Sequence, residues 1–194
     1  MLIEEKINTN MNQCNWVTHG LFSFSFQYTS TLPCFEFFFS PNLPKEFWAL
    51  KVPPKVRTFV WRACSNILPT RENLHRRKVM VDPPCEICCQ KPESVGHLLW
   101  ECPLARNVHV WAICQGKIQK CPNDAREFFA LSRLLVDRLP EMELDRWVTI
   151  SWALWNARNK YYFEHVQQHP KVILEGALGF LAEYQRLLAA MNNT

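Results

Sequence analysis

The sequence predicts a mainly helical protein, on three observations. Glycine is scarce, at 5 residues against 13 prolines, whereas a sheet-rich chain needs glycine at its turns. Several stretches repeat apolar residues at helical spacing. Four of the nine cysteines cluster around one histidine in a short segment between predicted helices. With 194 residues, 48% apolar and 21% charged, the chain can bury a core of one ordinary domain.

Residues 1–42 hold no sustained period. Their aromatic run Phe35, Phe37, Phe38, Phe39 has no partner pattern, and a poorly ordered or extended segment is expected. Order begins at Phe47, Trp48 and Leu50. Pro53 and Pro54 suit the first turn of a helix, where a missing N–H costs nothing. From Lys55 the apolar residues Val56, Phe59, Val60, Ala63 and Ile67 form an amphipathic stripe, closed by Leu68-Pro69. Thr70 can cap a short helix through Arg77. Pro103 opens another, with Leu104, Val108 and Trp111 on one face. Asp124 and Glu127 mark a further start, before Phe128, Leu131, Leu134 and Leu135. Leu144, Val148, Trp152 and Trp155 predict a fourth long helix. The last runs from Lys171 to Met191 with Leu174, Leu178, Leu181, Tyr184 and Leu188. The expected division is 1–42, a small cysteine-containing helical domain over 43–115, and a helical C-terminal region over 122–194.

The net charge of +4 is too small to imply a polyanionic partner, but its distribution is uneven. Nine Lys/Arg stand against Glu46 and Glu72 between Leu43 and Met80, a local net charge of +7. Nine cysteines form an odd set, and the first twenty residues lack the basic start and apolar run of a secretion signal. Leu21–Ser40 is broken by Gln27, Pro33 and Glu36, so no membrane span is expected. A reducing compartment, nucleus or cytoplasm, follows, where clustered cysteines bind metal more often than they pair.

The cluster reads Cys85-x2-Cys88, then His97-x4-Cys102: four donors inside 18 residues. Zinc takes four such ligands as a tetrahedron, and a full set closes the site against the open position that catalysis requires. A structural Zn2+ on Cys85, Cys88, His97 and Cys102 is expected. Gly96 would permit a close approach, and Cys102 would face the positive end of the helix opened by Pro103, which favours its thiolate. Cys89 is an alternative to Cys88 in a shifted register. A redox reading of Cys85-x2-Cys88 lacks the βαβ context. Chelation is expected to unfold this segment and leave the C-terminal helices intact. Cys64 and Cys114 read as small core residues, and His75 and His109 as solvated or core-edge residues.

The run Trp48, Leu50-Lys51-Val52-Pro53-Pro54-Lys55-Val56, Phe59-Val60-Trp61-Arg62, Leu68-Pro69-Thr70, Asn73-Leu74 resembles the zinc-binding domain that follows the reverse transcriptase of plant non-LTR (LINE-type) retrotransposons. The resemblance continues through Cys85-x2-Cys88, Glu93, His97-x-Leu99-x2-Cys102, Ala105 and Val110-Trp111, covering about residues 43–112. It implies the same four metal ligands. Trp152-x2-Trp155-x2-Arg158-Asn159 is similar to a helix that leads into an RNase H domain in such elements. No Asp-Asp pair of a polymerase occurs. Asp124, Asp137, Glu141, Glu143 and Asp145 read as caps and solvated faces, so the expected chain is not an enzyme. It looks like an excised fragment, ending before an RNase H domain could fit.

The resulting expectation is a structural-zinc module that binds RNA or DNA. Lys51, Lys55, Arg57, Arg62, Arg71, Arg76, Arg77 and Lys78 would contact phosphates, and Trp48 or Trp61 would stack on bases, although Trp61 adjoins the apolar stripe and reads first as core. The alternatives are a protein-interaction scaffold that docks reverse transcriptase or RNase H domains, and a transposon relic without selected function.

Overall fold

The computed structural model describes residues 17–19, 23–25, 45–112 and 127–192. The chain divides into two units, Met1–Phe39 and Ser40–Thr194. In the first, β1 (Val17–His19) pairs antiparallel with β2 (Ser23–Ser25), Thr18 opposite Phe24. The rest of the 1–42 expectation lies outside the described residues, as do Cys114 and Asp124.

The second unit is helical, as expected, and holds both the cysteine-containing segment and the C-terminal helices that the sequence placed in separate regions. Its elements are α1 (Glu46–Ala49), α2 (Pro54–Cys64), α3 (Arg71–Arg76), a π-helical turn (His97–Glu101), α4 (Pro103–Ala112), α5 (Phe128–Arg138), α6 (Glu141–Glu164) and α7 (Pro170–Asn192). Helix α2 buries Val56, Phe59, Val60 and Ala63, the expected stripe, against α5 and α6. It ends at Cys64, before Leu68-Pro69. Asn66 turns the chain with a left-handed backbone (φ 53°), and both its carbonyl and its side-chain oxygen accept from the buried Asn73 amide, at 3.0 and 3.1 Å. That amide also donates to the Leu68 carbonyl at 2.9 Å. One asparagine thereby holds the α2–α3 corner. Thr70 caps α3 as expected, its hydroxyl accepting from the Asn73 N–H at 3.3 Å.

Helix α6 departs from its expected single stripe. Leu144 and Val148 are buried, Trp152 and Trp155 are half-buried, and Trp147, Ile150 and Leu154 join the interior. The reason is that α6 meets α2, α4, α7 and the π turn, and a helix covered on several sides has no one apolar face. Two polar side chains inside it are satisfied locally: the Thr149 and Ser151 hydroxyls donate to the Asp145 and Trp147 carbonyls, at 2.7 and 2.9 Å. Asp145 is also buried, not on a solvated face. Its carboxylate accepts from the Lys51 N–H at 3.0 Å and the Gln185 amide at 3.1 Å, joining the start of α6 to the strap before α2 and to α7. Helix α7 turns Ile173, Leu174, Ala177 and Leu181 inward and leaves Val172 and Leu187 exposed. Among the described residues no helix is long and apolar enough to cross a membrane.

Candidate metal centre

The first two ligands come from a tight knuckle. Pro84 and Pro92 bridge antiparallel, the Cys85 N–H donates to the Lys91 carbonyl at 2.9 Å, and the Cys89 N–H returns to the Cys85 carbonyl at 2.7 Å. The backbone N–H of Cys88 points at the Cys85 sulfur. Closing the knuckle places Cys89 in the left-handed region (φ 54°), exposed, with its thiol on the Glu86 carbonyl. Cys88, not Cys89, faces the cluster.

The other two ligands lie at the ends of the π turn. Ser94 starts it, its hydroxyl accepting from the His97 N–H at 3.0 Å. The turn closes with the Cys102 N–H donating to the His97 carbonyl, five residues back, at 2.7 Å. In an ordinary α-helix a residue five positions on lies about 140° around the axis. The wider turn is what aims His97 and Cys102 at one point. Gly96 has ordinary helical backbone (φ −64°, ψ −42°). It is buried.

The ligand atoms of Cys85, Cys88, His97 and Cys102 all lie within 4.8 Å of one another, and Cys88 Sγ is 3.2 Å from His97 Nε2. Tetrahedral zinc, with bonds of about 2.0–2.3 Å, places its ligand atoms about 3.5–4 Å apart. The cluster is thus assembled on the scale zinc demands, and three sulfurs with one imidazole are a zinc-type donor set. Cys85, His97 and Cys102 are buried and Cys88 half-buried. The Cys85 thiol, hydrogen-bonded to Cys102 and then burdened by burial, is pushed up to about 12. Cys102 is held below its usual value by that same hydrogen bond and, to a smaller extent, by the Leu104 N–H at the start of α4. The contribution of the helix start thus runs in the direction expected, towards the thiolate form of Cys102. Behind the imidazole, His97 Nδ1 is 3.8 Å from Glu101, which Lys91 pairs at 3.1 Å. At that distance the carboxylate acts on the imidazole by charge and not by a hydrogen bond, and Nδ1 is buried without a hydrogen-bond partner.

A second layer ties this centre to the rest of the unit. Glu93, buried, accepts from the Arg71 N–H at 3.0 Å and from the Arg158 guanidinium at 2.6 and 3.2 Å. Arg158 lies over the Tyr162 and Trp155 rings at 4.8 and 5.3 Å. His109, expected to be solvated or at the core edge, is buried; its Nε2 meets the Leu99 carbonyl of the π turn at 2.9 Å, and burial lowers its pKa to about 4. Cys64 packs against the core as expected, beside Ser132, and burial pushes its thiol up to about 11. The sequence carried no signal for the Glu93–Arg158 partnership or for the burial of Asp145, because each joins distant segments.

The eight basic residues separate into two groups. Lys51 pairs with Glu141 at 3.3 Å, and the Lys55 ammonium lies over the Trp152 and Phe180 rings at 4.7 and 4.4 Å. Arg57 is half-buried and donates to the Trp48 carbonyl at 3.5 Å. Arg71 is buried, bound to the Asp82 carbonyl at 2.6 Å and paired with Glu86. Arg76, Arg77 and Lys78 are exposed around the end of α3, where Arg76 donates to the Asn73 side-chain oxygen at 2.7 Å. The Arg77 charge reaches Arg62, whose pKa is lowered by burial first and by that charge second. Trp61 is half-buried and Trp48 is 41% exposed.

Residues 22–111 match the family described as zinc-binding in reverse transcriptase, a span that begins earlier than the motifs starting at residue 43. A protein of Arabidopsis thaliana that bears a ribonuclease H name is 32% identical over 82 residues, which are 41% of this chain and 13% of that protein. The chain thus spans a small part of that relative's length. No solved structure matches. Over residues 22–111 the chain is thus similar to the zinc-binding domain found in reverse transcriptases.

Proposed function

We propose that this protein is a structural-zinc module derived from a plant non-LTR retrotransposon reverse transcriptase, and that it binds single-stranded RNA or DNA through Arg62, Arg76, Arg77 and Lys78. The observation that carries the reading is the grouping of these cations. Arg77 adds its charge to a partly buried Arg62, while Arg76 and Lys78 stand exposed beside it. Like charges held together form a local positive field suited to a phosphate backbone. The zinc site serves by holding the knuckle and π turn in place, since four protein ligands leave no open coordination position. When bound, the ion supplies charge neutralisation and cross-linking; the protein's residues orient it.

The chain acts by binding rather than by catalysis. Its buried acids are engaged in structural contacts: Glu93 with Arg158, Glu101 with Lys91, Asp145 with Lys51 and Gln185. A reducing compartment, nucleus or cytoplasm, keeps the thiolates as ligands. Docking of reverse transcriptase or RNase H domains is a second reading, favoured by Val172 and Leu187 exposed on one helix.

The test is binding of single-stranded oligonucleotides to zinc-loaded protein across a salt series. Affinity should fall steeply with salt, and Arg76→Gln, Arg77→Gln and Lys78→Gln together should lower the slope by about 0.7 per lost contact. The loss should be similar across sequences, because phosphate contacts position without reading bases. No binding at low salt by wild type or variant would leave the docking reading in its place.

A further inference from the structure

Beside the metal centre lies a shallow, open cleft of about 360 Å³. Three separate segments form it. The knuckle contributes Ile87 and Gln90, the first turns of α4 contribute Leu104 and Asn107, and the connection from α6 to α7 contributes Gln167. Cys88, one of the four ligands, is part of its wall, so the ion that fixes Cys88 also fixes this face.

The lining has a definite chemistry. Ile87 and Leu104 pack partly buried against the core and offer apolar surface. Gln90, Asn107 and Gln167 are exposed, and their side chains engage in no hydrogen bond among the described residues. No charged side chain lines the cleft, so it does not suit a phosphate. It suits a flat, neutral group with apolar faces and an edge carrying both donors and acceptors. A side-chain amide presents one donor group and one acceptor, the pairing by which asparagine and glutamine read base edges. The groups of single-stranded nucleic acid that fit this description are its unstacked bases.

We propose that this cleft takes one unstacked nucleobase of a bound single strand, with Ile87 and Leu104 against its face and the amides of Gln90, Asn107 and Gln167 at its edge. The inference rests on the nucleic-acid reading above and deepens it. The exposed cations at the end of α3 hold the backbone, and the cleft senses whether a base is attached.

The experiment compares a short base-bearing oligonucleotide with an abasic sugar-phosphate strand of equal length and charge, by fluorescence anisotropy with the zinc-loaded full chain. The base-bearing strand should bind about fivefold tighter or more, the scale of one or two net hydrogen bonds. Gln90→Ala with Asn107→Ala should bring that ratio close to one while leaving zinc content and affinity for the abasic strand unchanged; both side chains are exposed, so the fold should tolerate the change. The triple change at Arg76, Arg77 and Lys78 should weaken both strands alike. Equal affinity of wild type for the two strands, or a ratio the amide variants do not move, overturns the cleft and leaves the backbone reading standing. If neither strand binds at low salt, the backbone reading fails and takes the cleft with it.

Discussion

Glu93 and Arg158, 65 residues apart in sequence, form a buried two-pronged ion pair with N···O distances of 2.6 and 3.2 Å. Glu93 sits between the knuckle and the π turn, and Arg158 belongs to α6. The pair joins the metal-binding segment to the C-terminal helices at one point. Its remaining acceptor capacity is used by the Arg71 N–H, and the guanidinium lies over Tyr162 and Trp155. Both charges are therefore partnered away from water, the condition under which burying them is tolerated.

Removing either partner should be costly. Glu93→Gln or Arg158→Met leaves the other member buried with fewer partners, and each should lower unfolding stability by about 3–5 kcal/mol. The double variant should lose clearly less than the sum of the two. Denaturant unfolding of the four proteins reads this coupling; additive losses would mean that the two groups do not act as a pair.

Zinc should be present at about one ion per chain. Cys85→Ser and Cys102→Ser should lose it, because each removes a buried donor from the cluster, whereas Cys89→Ser should retain it because that thiol faces the Glu86 carbonyl. Metal analysis of the purified variants decides; equal zinc in all three would refute the ligand assignment.

Chelation should reach beyond residues 85–102. The π turn packs on α4 and α6, so removing an ion worth about 10–16 kcal/mol of apparent binding energy should also raise amide exchange in α6 around Arg158. This differs from what the sequence suggests for the C-terminal helices. Exchange confined to the knuckle and π turn would restore that simpler expectation.

His109 should make the fold sensitive to acid. Its pKa is lowered to about 4 by burial, against about 6.5 for an exposed imidazole, so the unfolded chain takes up the proton first. The stability tied to neutral His109 is complete above about pH 6.5 and is lost as pH falls towards 4. The loss is about 3 kcal/mol, at 1.36 kcal/mol per pKa unit. His109→Gln keeps a donor for the Leu99 carbonyl and removes this titration. The difference between the pH profiles of wild type and variant isolates the histidine from acid release of the metal.

Lys78 occupies a left-handed position (φ 65°) just past α3, where the Val79 N–H returns to the Leu74 carbonyl at 3.0 Å. This is the helix-ending geometry that favours glycine. Lys78→Gly should raise stability by about 0.5–1 kcal/mol while slightly weakening strand binding. A melt and a binding curve on the same variant would show the two effects moving in opposite directions.

The helices and the ligand set were legible in the sequence, each for a local reason. The stripe of α2, the Thr70 cap and the prolines opening α2 and α4 are short-range signals, since a helix is written in residues three and four apart. The four donors were likewise visible as spacing. The π turn was not, although His97-x4-Cys102 contains its cause: an interval of five cannot place two side chains on one side of a regular helix. What the spacing left open was which element would bend to suit the metal.

By itself, then, the sequence determined the helical class, the approximate element order, the spacing of a candidate four-donor set and the concentration of positive charge before Met80, because these depend on residue type and near-neighbour interval. Tertiary structure alone decided that Glu93 meets Arg158, that Asp145 and His109 are interior, and that Cys88 rather than Cys89 faces the cluster. It also separated the cations, burying Arg71 and laying Lys55 over Trp152 and Phe180, while Arg76, Arg77 and Lys78 stayed in solvent. The physical reason is that a charge's partner and its access to water depend on which distant surfaces pack beside it. Helical periodicity says only which side of its own element a residue lies on.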